Sequence, residues 1–269
     1  MLSIEEIKLL IEKLEKAKGH DFQKLIDDNL KVLKEIAIVV DANNSTQINR
    51  INKSLDWYRQ DESQKHTANK DINLENDLLF NAVNIKINNI RKLMPLSDQL
   101  NSLEIGPGYG KFSRCFLAWR LNYFIDILAE SGSKIRKKFN PAHHQYLKFY
   151  QTDKTSCGDI PDNSISFVFS WDTFVFFTIE HIKEYLLDIY RTLLPGGYAF
   201  IHYANCEYDY DLAEAKKGYW NYNTKTAMST IIKDTGYTVL EMDQFKSGAN
   251  YALFQKPAKK NIIKHKIIK

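Results

Sequence analysis

The sequence predicts an α/β chain: a sheet of seven strands, six parallel and one antiparallel, behind a helical N-terminal region. Three observations carry this. From Leu100 onward, short apolar runs rich in aromatic and β-branched residues alternate with stretches of helical periodicity, the pattern of parallel β/α units. The last two runs are separated only by Gln244 to Ala249, too short for a parallel crossover, so they form an antiparallel hairpin. Before Leu100 the apolar spacing is helical, with no strand alternation.

In chain order, Ile4, Ile7, Leu10, Ile11 and Leu14 recur at helical spacing, and Leu25, Ile26, Leu30, Leu33 and Ile36 resume it beyond Gly19. Asp41 to Thr46 is a polar break, and a further helical region from Leu78 to Met94 runs up to Pro95. Residues 1–95 are thus expected to form a helical region that acts as a cap or as the interface of a homodimer, although apolar stripes also pack on a chain's own core. Residues 96–257 form the sheet domain and 258–269 a basic tail. Strands are predicted at 101–105, 122–127, 146–151, 165–170, 197–203, 237–243 and 250–256, and helices at 110–119, 131–139, 180–194 and 224–235. Pro195-Gly196-Gly197 reads as a stop before the fifth strand, because neither residue type sustains a helix.

With 44% hydrophobic residues over 269 positions, the chain can bury a full core. A net charge of +4 creates no whole-molecule field toward nucleic acid, and no basic stripe or nucleic-acid reading module is present. Cys115, Cys157 and Cys206 lack the paired spacing of a zinc site or a disulfide framework. No apolar run reaches the roughly 18 residues that span a bilayer, and Glu5 and Glu6 stand where a signal peptide has basic residues, so the expected location is cytoplasmic. Lys259 to Lys269 alternates basic and apolar pairs, a pattern that suits an anionic surface or a frayed terminus.

The chemistry begins where Ser102-Leu103-Glu104-Ile105 runs into Gly106-Pro107-Gly108-Tyr109-Gly110, followed by an expected helix opening at Lys111-Phe112-Ser113. Alternate glycines let the backbone turn tightly and approach a ligand, and a helix start offers free N–H donors. This describes a nucleotide-type cradle. Asp126 closes the run Tyr123-Phe124-Ile125, 20 residues after Gly106, and a doubly wound sheet sets such a carboxylate beside the first turn, in reach of both hydroxyls of a ribose. A nicotinamide-binding turn would read Gly-x-Gly-x-x-Gly. Here the third glycine comes one residue early and Lys111 fills the remaining slot.

Glu104 to Gly110 resembles the first motif of the class I S-adenosylmethionine-dependent methyltransferases, and Asp126 their second. Ile160 to Ser170 is similar to that family's approach to strand four, and Arg191 to Gly197 to its approach to strand five. The likeness spans about Leu100 to Pro257 and implies a Rossmann-like sheet with S-adenosyl-L-methionine as cofactor and S-adenosyl-L-homocysteine as product. By position, it implies that Glu104, Gly106, Pro107, Gly108 and Gly110 contact the amino acid end of the cofactor, while Asp126 and Ile127 hold ribose and flank adenine. An acid near the adenine amino group falls on Asp153 or on Asp159. Trp171 packs near the methionine chain or serves as core, and Tyr58 or Arg59 reaches the cofactor carboxylate if the segment around Trp57 closes over it.

Methyl transfer from a sulfonium needs in-line positioning and, for a hydroxyl acceptor, removal of a proton. The candidate bases are Asp172, after strand four, and His202, at the end of strand five. Asp172 also suits a helix cap, and His202 a structural role in an apolar strand. Ile201 to Asn205 and Trp220 to Thr224 resemble methyltransferases of surface polysaccharide biosynthesis, and the long segment Cys206 to Trp220 offers the aromatic and acidic side chains that suit a carbohydrate-like acceptor. The expected activity is O-methylation of a sugar or surface-glycan (capsule) precursor. The alternatives are N- or phosphoryl-O-methylation of another small molecule, and a non-catalytic scaffold that binds the cofactor.

Overall fold

The computed structural model describes residues 74–94, 100–117, 119–152 and 155–258. The expectations for residues 1–73, Tyr58 and Arg59 among them, for Asp153 and for the tail from Lys259 lie outside the described residues.

The described chain opens with helix α1 (Leu74–Leu93). Seven strands follow: β1 (Asn101–Ile105), β2 (Leu121–Asp126), β3 (Leu147–Gln151), β4 (Ile165–Ser170), β5 (Leu193–His202), β6 (Thr238–Gln244) and β7 (Asn250–Gln255). They form one sheet of order β3-β2-β1-β4-β5-β7-β6. Strand β7 runs antiparallel to both β5 and β6, and the other strand pairs are parallel. Helices α2 (Ser131–Arg136), α3 (Ile179–Thr192), α4 (Asp209–Lys216) and α5 (Lys225–Asp234) lie in the connections. Among the described residues, no helix is long and apolar enough to cross a membrane.

Strand alternation divides the core between the two faces of the sheet. On one face Leu103, Ile105, Ile125 and Val168 pack against Ile182, Leu186 and Ile189 of α3 and Met228 and Ile232 of α5. On the other, Phe167, Phe169 and Phe200 pack with Val83, Ile87 and Ile90 of α1 and with Phe112, Phe116 and Trp119. Aromatic rings dominate this second layer: Phe116 lies 5.3 Å from Phe169, and Trp119 stacks on Phe167 at 5.5 Å. An ion pair from Lys86 to Glu241 ties α1 to β6.

Three expectations are corrected. Residues 110–119 do not form an α-helix: after the glycine turn the chain makes a short 3-10 segment, Ser113–Phe116. The spacing of Phe112, Cys115, Phe116 and Trp119 read as helical, yet the bonds close at i to i+3, from Cys115 N–H to the Phe112 carbonyl and from Trp119 N–H to the Phe116 carbonyl. The tighter coil packs those four buried side chains into the aromatic layer while the Ser113 hydroxyl reaches back to Glu104. Pro195-Gly196-Gly197 does not stop the chain before β5 but lies inside it, in a register irregularity between β4 and β5. Gly196 holds φ +83°, and a Cβ on Gly197 would meet the Leu194 carbonyl oxygen at 2.9 Å, so both glycines are sterically required. Finally, the segment 206–220 is not all loop: Asp209–Lys216 is helical, anchored by Asp211, which is fully buried.

Candidate active site

The parallel strands converge so that β1 and β4, neighbours in the sheet, both deliver their carboxyl ends to one edge. There the chain divides about a topological switch point, with β2 and β3 on one side and β4 and β5 on the other. The three glycines of the turn all have positive φ, and each answers a different constraint. A Cβ on Gly106 would overlap the Thr173 side chain, which stands over the turn and donates its hydroxyl to the Gly106 carbonyl at 3.3 Å. A Cβ on Gly110 would press on Ile135 and Lys138 at 3.1 and 3.3 Å, where α2 packs on the turn. A Cβ on Gly108 would meet nothing within 4 Å. Of the three, Gly108 is the one that faces open space, while Pro107 is buried.

Asp126 stands at the carboxyl end of β2, next to this turn. Its carboxylate accepts the Gly108 N–H at 2.8 Å and the Leu128 N–H at 2.9 Å, fixing the crest of the glycine turn to β2. Beside it lies a cavity of about 230 Å³, lined in part by Asp126, Leu128, Ala129, Phe149 and Gln151. Ile127 is exposed at 67%, at the carboxyl end of β2, and Asp159 lies exposed in a turn before β4.

Glu104 is buried on β1 and accepts a 2.6 Å bond from the Ser113 hydroxyl. Burial pushes its carboxyl up to about 8, with the nearby Asp126 charge adding to the rise and Ser113 and Lys138 opposing it. A carboxyl raised above its unfolded value of 4.5 contributes stability that is fully present below pH 4.5 and is lost as pH climbs toward 8. Glu104→Gln is therefore expected to flatten the pH dependence of the protein, with a gain at pH 8.5 of up to about 5 kcal/mol. Denaturant midpoints from pH 5 to 8.5 check this, and parallel profiles for the two proteins would contradict it.

On the other side of the switch point, β4 is followed by Trp171 and Asp172. Trp171 is 5% exposed and joins the aromatic layer, stacked on the His202 ring at 4.6 Å. Asp172 adopts φ +56°, a left-handed conformation that a non-glycine residue rarely holds without support. The support comes from His202, whose Nδ1 accepts the Asp172 N–H at 3.1 Å and lies 3.1 Å from the Asp172 Oδ1. The Nε2 of His202 lies 3.1 Å from the Gly248 carbonyl, which can only accept, so Nε2 carries a proton. Sequence reasoning proposed His202 and Asp172 separately; the structure brings them into contact. Both nitrogens of the buried ring are engaged, whereas the Asp172 side chain is 59% exposed. Burial raises the Asp172 carboxyl, but His202, when its ring is doubly protonated so that Nδ1–H donates to Oδ1, and the charge of Lys111 outweigh it and hold the group below the usual carboxylate range.

The segment 206–223 flanks this carboxylate. Asn221 donates its backbone N–H to the Val175 carbonyl at 2.9 Å, and the Asn223 side chain donates to the Phe177 carbonyl at 2.8 Å, binding the segment to the turn after Asp172. Asp211 accepts the Asn205 N–H at 2.6 Å and the Asn250 side-chain N–H at 2.5 Å, so α4 is pinned to β5 and β7 together. In this segment the rings of Tyr210, Tyr219 and Tyr222 remain exposed, as does Phe176 in the turn after Asp172. Sequence reasoning missed Thr173 and Gly248. Thr173 carried no motif, and the contacts of Gly248 depend on distant segments.

Residues 103–201 match the family model described as a methyltransferase domain. No curated protein matches the chain. Among solved structures, an S-adenosylmethionine-dependent methyltransferase from Methanosarcina mazei superimposes with a TM-score of 0.51 at 15% identity, covering 63% of this chain and 97% of its own. One from Mesorhizobium loti gives a TM-score of 0.50 at 13% identity, covering 62% and 95%. A chain from the Haloferax volcanii complex of a methyltransferase with its activator Trm112 gives 0.52 at 16%, covering 61% and 85%. These likenesses show the fold, a seven-stranded Rossmann-like methyltransferase sheet. The residues at its edge fit S-adenosylmethionine: open space above Gly108, a ring-sized cavity beside Asp126, and a buried carboxyl at Glu104 whose ionised form a cofactor ammonium would favour.

Proposed function

We propose that this S-adenosylmethionine-dependent methyltransferase methylates an oxygen of a sugar or related surface-glycan precursor. The observation that carries the reading is the solvent-accessible Asp172 carboxylate beside an aromatic-rich segment: exposed tyrosine and phenylalanine rings stack on the apolar faces of sugars and lend hydroxyls to their edges.

When bound, the cofactor supplies an electrophilic methyl group on a sulfonium. In this reading the glycine turn and Glu104 receive its amino acid end, Asp126 its ribose, and the cavity beside Ile127 and Leu128 its adenine. Asp172 accepts the hydrogen bond of the acceptor hydroxyl and takes its proton as the oxygen is methylated. The proton then has a resting place at His202 Nδ1, 3.1 Å from Oδ1, and the imidazolium so formed donates to Asp172 through Nδ1–H and to Gly248 through Nε2–H. Asp172 is the catalytic residue of this scheme, and His202 positions it and stores the proton. The helical region 1–95 as a cap or homodimer interface belongs to the same proposal.

Asp172→Ala is expected to lower turnover ~100-fold or more, the usual contribution of a positioned base, while S-adenosylhomocysteine affinity measured by calorimetry stays within about twofold of wild type, a change near the resolution of such a measurement. A screen of sugar nucleotides and glycans with methyl-labelled donor identifies the acceptor. Undiminished turnover in Asp172→Ala would remove the base, and labelling confined to nitrogen acceptors would remove the glycan.

A further inference from the structure

The turn of the C-terminal hairpin packs against His202 and Trp171. It links β6 to β7 through Phe245 and Ala249, whose backbones are hydrogen-bonded at 3.2 Å. Phe245 lies 6.0 Å from Trp171, on the same aromatic layer as Phe200 and Tyr251. Gly248 occupies the tightest point. It holds φ +73°, and a Cβ there would overlap the Tyr210 ring, with Cδ1 at 2.7 Å, and press on Trp220 at 3.3 Å. Tyr210 and Trp220 in turn meet edge to face at 5.9 Å, and Trp220 meets His202 at 6.0 Å. The carbonyl of Gly248 faces the His202 Nε2.

We infer that Gly248 is a positioning residue of the acceptor site, fixing His202 as its Nε2–H form through its carbonyl while its bare Cα seats Tyr210 and Trp220. A backbone carbonyl accepts and never donates, so this contact keeps the proton on Nε2 and leaves Nδ1 facing Asp172. Nδ1 can then accept the Asp172 N–H and hold that residue in its left-handed conformation. The missing side chain serves the other half of the device. It lets the aromatic segment close to within ring contact of His202, so one residue sets both the orientation of the base and the position of the rings beside it. The inference rests on the Asp172 reading above, but its first test needs no acceptor.

The test is nitrogen NMR of the full-length protein, which distinguishes protonated from unprotonated ring nitrogens, combined with S-adenosylhomocysteine calorimetry. His202 in the wild type is expected to show protonated Nε2 and unprotonated Nδ1 wherever its ring carries a single proton. Gly248→Ala is expected to disturb that signature and lower kcat ~100-fold on the acceptor found by the screen, the usual contribution of a base, with S-adenosylhomocysteine affinity unchanged. The double variant Gly248→Ala/Tyr210→Ala, which removes the overlapping ring, is expected to restore the nitrogen signature. A wild-type His202 protonated on Nδ1 alone overturns the inference, and so does a Gly248→Ala protein whose His202 signals match the wild type. If Gly248→Ala does not fold, the wild-type nitrogen signature still decides. Failure of the glycan screen with the His202 signature intact would count against the sugar acceptor and leave this inference standing.

Discussion

Asp126→Ala is expected to weaken S-adenosylhomocysteine binding by ~100-fold or more, because charge-assisted hydrogen bonds are worth about 1.5–3 kcal/mol each and this carboxylate supports several. Its carboxylate already accepts two backbone N–H groups, from Gly108 and Leu128, and the residue is 9% exposed. Alanine removes the proposed ribose partner and at the same time releases the crest of the glycine turn from β2, leaving two N–H groups to find water. Asp126→Asn separates the two effects. Its amide oxygen retains one acceptor while the charge is lost, so it is expected to bind more weakly than wild type and better than Asp126→Ala. Calorimetry reads the series, and full affinity in Asp126→Ala would overturn the cofactor site.

The second large effect falls on Gly106. A methyl group there meets Thr173 Cγ2 at 2.6 Å and Cβ at 2.8 Å, and the position holds φ +67°. The left-handed backbone costs an L-residue about 1–2 kcal/mol and the overlap adds about 1–3 kcal/mol, so Gly106→Ala is expected to lose roughly 3 kcal/mol of stability and most cofactor binding. Gly108 supplies the contrast. Nothing lies within 4 Å of its Cβ direction, so Gly108→Ala is expected to cost only the backbone penalty in stability while still obstructing the ligand. Chemical denaturation with and without S-adenosylhomocysteine separates the two glycines. Equal stability losses in both variants would show that Thr173 can move away from the turn.

The parts of the fold that repeat a local rule were legible in the sequence. Strands β1 and β4 begin and end at 101–105 and 165–170, where the predicted strands do: each precedes or follows turn residues, Gly106-Pro107-Gly108 after β1 and Pro161-Asp162-Asn163 before β4. The hairpin followed from loop length, and the place of Asp126 beside the glycine turn from the order of adjacent strands. Where local signals conflict with packing, packing won. Residues 112–119 carry helical spacing, yet they coil more tightly so that Phe112, Phe116 and Trp119 enter the aromatic layer on Phe167 and Phe169. The segment 206–220, rich in aromatic and acidic residues, reads as a long loop, but the burial of Asp211 between Asn205 and Asn250 pins a helix there.

The sequence by itself determined the sheet, its antiparallel closing strand and the glycine turn beside Asp126, because these depend on residue spacing within a few tens of positions. Only the tertiary structure decided what the glycines are for and how the acid and imidazole stand to one another. Gly106 yields to Thr173, 67 residues away, and Gly248 yields to Tyr210 and Trp220. His202 and Asp172 meet because β4 and β5 are neighbours, and the proton on Nε2 is held by a carbonyl 46 residues further along. Such contacts join segments that no local pattern relates, so their geometry exists only once the strands have packed.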